Sequence, residues 1–123
     1  MKEVSLTKAI LNEENINTFI LIQNSVANPK TFRMGYVTEE KACLRFIDAK
    51  VFFIKEDGQT VGTLEYQLGA GDYAYIQSIA ILPEFQGKGI GRQSLVFLLS
   101  NQLKRVSKIG LNTHPKNKAL SIY

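Results

Sequence analysis

Residues 81–95 read "ILPEFQGKGIGRQSL", and the fold turns on this stretch. Gly87, Gly89 and Gly91 fall on alternate positions between an apolar run of strand type and a long run of helix type. Glycine reaches positive φ at little cost and lets the backbone come close to a ligand, and the first amides of the helix that follows have no partner within it and sit at the positive end of its dipole. Such a turn is built to wrap an anion, and phosphate suits it well.

Working outward, residues 73–82, "YAYIQSIAIL", form an apolar run ended by Pro83, which suits a central strand buried on both faces. Before it, "VFFIK" (51–55) and "TVGTLEYQL" (60–68) flank Asp57-Gly58, a hairpin signal, and "GAGD" (69–72) is a second turn. After the glycines, residues 92–106 place Leu95, Leu98, Leu99, Leu103 and Val106 on one face of a predicted helix. A short strand, "IGLN" (109–112), and a helix starting in "PKNKALSIY" (115–123) close the chain. Near the N-terminus Val4 to Leu6 predict a strand. Ile16, Phe19, Ile20 and Ile22 predict a helix capped by Asn12, with Glu13 and Glu14 where a helix dipole favours acids. Thr38, Glu39 and Glu40 repeat that start signal for a second helix. The predicted order is β, α, α, β, β, β, α, β, α: a mixed α/β sheet, antiparallel in its first half, with a βαβ crossover at the glycines.

A length of 123 residues predicts a single domain able to bury its own core. Net charge is +4 and unevenly spread: residues 1–82 carry 8 Lys/Arg against 10 Asp/Glu, and residues 83–123 carry 7 against 1. A basic half around a glycine loop fits a polyanionic ligand. Nucleic acid is disfavoured, because the basic residues are not interleaved with aromatic stacking platforms. Lys104, Arg105 and Lys108 read as solvated surface. The lone cysteine, Cys43, has no internal disulfide partner, no Cys/His cluster has metal-ligand spacing, and no apolar run approaches the roughly 20 residues of a membrane span. The expectation is a cytoplasmic protein without metal or membrane.

Two phosphate-loop types fit the spacing poorly. The one Gly-Lys pair, Gly87-Lys88, is followed by Gly89 rather than Ser or Thr, and G-x-G-x-G is not the G-x-G-x-x-G of a dinucleotide fold. "IAILPEFQGKGIGR" instead resembles the cofactor motif of the GNAT superfamily of acyl-CoA-dependent N-acetyltransferases, Gln/Arg-x-x-Gly-x-Gly/Ala after a strand and a proline. Gln86, Gly89 and Gly91 hold the signature positions, and the order of elements matches the family along essentially the whole chain.

The resemblance implies acetyl-CoA as co-substrate and an amine as acceptor. It implies that the backbone of Ile79, Ala80 and Ile81 binds the pantetheine arm, and that the amides from Gly87 through Lys88, Gly89, Ile90 and Gly91 to Arg92 cradle the pyrophosphate. Lys88 and Arg92 would add charge, while Phe85 reads as a packing residue. For the leaving thiolate the family often supplies a Tyr in an Asn-x-x-Ala-x-x-x-Tyr pattern. Here "NKALSIY" offers Tyr123, spaced correctly from Ala119, with Asn117 one residue too close to Ala119. For the base, His114 and Glu65 are the candidates beside a water-mediated route, and Asn112 stands where other members carry Glu. Glu65 alternates with Leu64, Tyr66 and Leu68, so it predicts a solvent-facing side chain. Residues 24–38, expected to shape acceptor choice, hold no acidic cluster for a polycation. Family members continue past the Tyr with two further strands, whereas this sequence stops at Tyr123, which leaves three expectations open: a truncated product, a sheet completed by a partner chain as in a homodimer, or a fold that ends open. A non-catalytic acyl-CoA-binding module is the alternative to an enzyme.

Overall fold

The computed structural model describes residues 3–26, 37–69, 73–101 and 108–111. Along the chain these form β1 (Val4–Lys8), α1 (Glu13–Val26), α2 (Glu39–Asp48), β2 (Lys50–Glu56), β3 (Gln59–Leu68), β4 (Tyr73–Ile81), a 3-10 turn (Pro83–Phe85), α3 (Ile90–Asn101) and β5 (Lys108–Leu111). The strands lie in the order β1-β2-β3-β4-β5; the first four pair antiparallel, and β5 runs parallel to β4. The predicted mixed sheet is therefore observed. The predicted helix at residues 115–123 lies outside the described residues.

Local chemistry sets the element ends. Asn12 caps α1, its Oδ1 accepting from the Asn15 N–H at 2.8 Å, and Thr38 Oγ1 accepts from the Lys41 N–H at 3.3 Å at the start of α2. Asp57 and Gly58, both at positive φ, make the two-residue turn between β2 and β3.

Both faces of the sheet are covered. Phe52, Ile54, Leu64, Tyr66 and Ile76 point to one side, against Ile90 and Leu98 of α3. Val51, Phe53 and Ala80 point to the other, against Phe19 and Ile22 of α1 and Ala42 of α2. Every residue of β3 from Val61 to Tyr66 is consequently buried, whichever way it points.

Two bulges break the ladder: Val61 is the extra residue of β3 opposite Ile54/Lys55, and Gln77 the extra residue of β4 opposite Glu65/Tyr66. A bulge bends its strand and sharpens the local twist. Here the second one divides β4. Residues 74–76 pair with both β3 and β5, whereas beyond Gln77 the strand keeps only β3 among the described residues.

Gly62 holds β3 close to that free half of β4. A Cβ built on it would lie 2.3 Å from the Ala80 carbonyl oxygen, a backbone atom that cannot swing away. Gly62→Ala is expected to destabilise the fold by about 1–3 kcal/mol, the usual cost of overpacking. Chemical denaturation checks it, and a midpoint equal to the parent's would show that the two strands part freely.

Candidate functional site

The free edge of β4 can be resolved to single backbone groups. The Leu82 N–H donates to the Val61 carbonyl at 2.9 Å, and Ile81 stands opposite Gly62. In an antiparallel ladder, hydrogen-bonded and non-bonded pairs alternate. Ser78 and Ala80 therefore turn their backbone groups toward β3, while those of Ile79 and Ile81 face the edge that β5 leaves open among the described residues. The Ile81 carbonyl is already used, accepting from Gln86 Nε2 at 2.9 Å. Gln86 thus straps the glycine loop to the end of the strand, and both backbone groups of Ile79 and the Ile81 N–H remain available at the edge.

The loop descends through the Pro83–Phe85 turn, closed by the Phe85 N–H donating to the Leu82 carbonyl at 2.9 Å. Gly87 and Gly89 take φ of 78° and 79°, a region other residues rarely adopt. The Gln93 N–H donates to the Gly89 carbonyl at 3.0 Å, which makes Gly89 the residue that caps α3. Ile90 and Gly91, expected in the loop, are the first two residues of the helix. Glycine has no side chain with which to cap, so the amides of Ile90, Gly91 and Arg92 have no partner from the cap or from within the helix. No acidic residue stands in the first turn of α3, and exposed Lys88 and Arg92 flank it. Lys88 Nζ lies 5.4 Å from the centre of the Phe85 ring, and Phe85 packs on the core as expected. The whole arrangement presents positive potential beside a strand edge with open hydrogen-bonding groups.

Glu65 is not where the sequence puts it. It does leave the face of Leu64 and Tyr66, but α1 and α2 cover the side it turns to, and it is wholly buried. Its Oε2 accepts from Arg45 Nε at 3.2 Å and Nη2 at 2.8 Å; Oε1 is also 2.8 Å from Nη2 yet takes no aligned hydrogen bond. Burial pushes its pKa above the ordinary value, while the charge and hydrogen bonds of Arg45 pull the other way. Arg45 also donates to Gln23 Oε1 at 3.2 Å and lies 4.9 Å over the Phe19 ring. Gln23 Nε2 in turn donates to Thr63 Oγ1 at 2.8 Å and approaches Ser78 Oγ at 3.5 Å. This polar chain joins α1, α2, β3 and β4 at the bulge.

The structure therefore brings Ile79, Ala80, Ile81 and residues 86–92 together on one edge. Glu65 lies one strand away on the α1/α2 side, and Tyr123, His114 and Asn117 lie outside the described residues. The sequence reading missed Gln23, Arg45 and Ser78. A signal existed for Arg45: it shares the inward stripe of α2 with Ala42 and Phe46, where a cation needs a buried partner. Among the described residues no group of three or more His, Cys, Asp or Glu could hold a metal ion, and no helix is long and apolar enough to cross a membrane.

Comparison with known proteins agrees with this geometry. The model of the acetyltransferase (GNAT) family matches residues 16–121. A ribosomal-protein-alanine N-acetyltransferase from Brucella melitensis biovar Abortus 2308 superposes with a TM-score of 0.74 at 16% identity, covering 100% of this chain and 88% of the other. The ribosomal-protein-S18-alanine N-acetyltransferase from Escherichia coli gives 0.71 at 19%, covering 98% and 74%. The PaiA N-acetyltransferase from Thermoplasma acidophilum, solved in complex with coenzyme A, gives 0.70 at 17%, covering 97% and 84%. No curated protein sequence matches the chain significantly.

Proposed function

The chain belongs to the acetyltransferase (GNAT) family, and from that premise we propose that it is an N-acetyltransferase that moves an acetyl group from acetyl-CoA to a primary amine of a small molecule or protein. The observation that carries this reading is the free edge of β4 running into the uncapped start of α3. An amide-bearing arm can add to that edge as an extra strand, with Ile79 supplying an open N–H and carbonyl and Ile81 an open N–H, while Ala80 between them is tied to β3. The amides from Gly87 to Arg92, with Lys88 and Arg92, suit the pyrophosphate at the arm's far end. Solved structures of this fold in complex with coenzyme A or acetyl-CoA support the same choice.

Bound there, acetyl-CoA supplies an activated acyl carbon. The amine nitrogen forms a C–N bond to it, the C–S bond breaks, CoA leaves as a thiolate and the amine releases one proton. The Ile79 N–H is the backbone donor to the acetyl oxygen as negative charge builds on it. In this reading Tyr123 serves as the acid for the thiolate and His114 as a route for the amine proton. Glu65 takes the proton only through an intermediary, because its carboxylate is closed off by Arg45 and the two helices.

Isothermal titration of the protein with acetyl-CoA tests the proposal, followed by a thiol-release assay over a panel of amines. Micromolar binding with turnover of at least one amine is expected. Binding without turnover on any amine would leave an acyl-CoA-binding module instead, and absence of binding would sink both readings.

A further inference from the structure

Hydrogen-bond direction along the buried polar chain determines which way one hydroxyl points. A guanidinium only donates, so the Gln23 oxygen facing Arg45 must accept and the Gln23 NH2 must face the opposite way. There it donates to Thr63 Oγ1 and approaches Ser78 Oγ. Ser78 therefore faces a donor, and its own proton is turned away from Gln23. Glu65, directly opposite Ser78 in the ladder, is no outlet for it, since Oε1 receives no hydrogen bond. Among the described residues, no group accepts that proton. Ser78 is only half-buried and stands between the bulge residue Gln77 and Ile79, whose N–H looks out of the free edge.

We propose that Ser78 is a second hydrogen-bond donor to the oxygen of the transferred acetyl group, and that Gln23, Arg45 and Glu65 are positioning residues that turn its proton outward. The proposal rests on the acetyltransferase reading above. The two donors come from different directions: the Ile79 amide lies in the plane of the sheet, and the hydroxyl stands on the α1/α2 face. Together they give the acetyl oxygen two fixed partners where charge develops, the arrangement that lowers the barrier to acyl transfer most directly. The bulge makes this geometry available, because an extra residue re-aims the side chains beside it.

Three variants test it: Ser78→Ala, Ser78→Thr and Gln23→Glu. Ser78→Ala is expected to lower kcat about 100-fold, the cost of one lost oxyanion donor, with KM for acetyl-CoA within about threefold of the parent. A readout independent of turnover is calorimetric: CoA binds as tightly as to the parent, while the preference for acetyl-CoA over CoA shrinks by about three- to tenfold, as loss of one hydrogen bond to the acetyl oxygen requires. Ser78→Thr keeps the hydroxyl and is expected to keep most of the rate. Gln23→Glu preserves the contact to Arg45 but replaces the NH2 facing Ser78 with an acceptor, which draws the hydroxyl proton inward. Its kcat should fall as in Ser78→Ala, with little further loss when the two changes are combined. Thermal unfolding of each variant establishes that the fold is retained.

A Ser78→Ala protein with parental kcat and parental preference for acetyl-CoA would overturn the proposal. So would Ser78→Thr as slow as Ser78→Ala, because the site would then be reporting packing rather than a hydroxyl. A parent that binds no acetyl-CoA would instead bring down the acetyltransferase reading on which the proposal stands, and the proposal with it.

Discussion

Gly89→Glu is expected to weaken acetyl-CoA binding about 1000-fold while leaving a folded protein. The substitution puts a carboxylate at the cap of α3, where the pyrophosphate is proposed to sit. Two unit charges about 4 Å apart repel by about 4 kcal/mol at a partly screened surface site, and each 1.4 kcal/mol is tenfold in affinity. A side chain at this position also strains the backbone, because Gly89 has φ of 79°, at a cost of about 1–3 kcal/mol. Steric crowding contributes little, since the atom nearest a built Cβ is Gln93 Nε2 at 3.9 Å. Gly89→Ala carries the same strain without the charge and separates the two effects. The melting temperatures of both variants should fall by similar amounts, and only the Glu variant should lose binding by titration calorimetry. Equal affinities of the two variants for acetyl-CoA would mean that the pyrophosphate does not sit at this helix start.

Arg45→Met is expected to cost about 3–5 kcal/mol of stability at neutral pH, because it strands the Glu65 carboxylate in the core. For a chain of this length that corresponds to a fall in Tm on the order of 10–20 °C. The loss should depend on pH in a defined direction. Burial already raises the Glu65 pKa above the ordinary value near 4.5, so the protonated form favours the fold. That contribution is fully present below the unfolded-state value and is lost as pH rises through the folded-state value. Removing Arg45 takes away the influence that lowers the pKa and moves the folded value higher still. The gap between variant and parent should therefore open only as pH rises through the parent's folded-state value, which lies above 4.5, and close in acid. Replacing both partners, as in Arg45→Met with Glu65→Leu, should recover stability to within about 2 kcal/mol of the parent, since a buried pair contributes little over apolar residues of similar size. Urea denaturation across this pH range reads all three proteins. A gap that does not vary with pH would show that the carboxylate is not what the missing arginine leaves exposed to the core.

The same pair marks where the sequence stops being informative. The alternation around Glu65 correctly separates it from Leu64 and Tyr66, because strand periodicity is a property of adjacent residues. Whether its face meets water or helices depends on α1 and α2, which are remote in the chain, and that decides between an exposed charge and a buried ion pair. The bulge at Gln77 is equally silent in sequence, since no glycine or turn residue marks it; it appears only as a shift in the pairing of β3 with β4. Gln23 and Ser78 are ordinary polar residues until α1 is laid across the sheet.

The sequence by itself determined the described elements, the hairpin at Asp57-Gly58 and the glycine turn that leads into α3, because capping, periodicity and positive φ are short-range constraints that neighbouring residues satisfy. The tertiary structure alone decided that, among the described residues, β4 is paired with β5 over only half its length, that Ile79 rather than Ala80 faces the edge left open, and that Glu65 is held by Arg45. Register and burial are relations between distant segments, fixed only when the sheet and its helices are assembled.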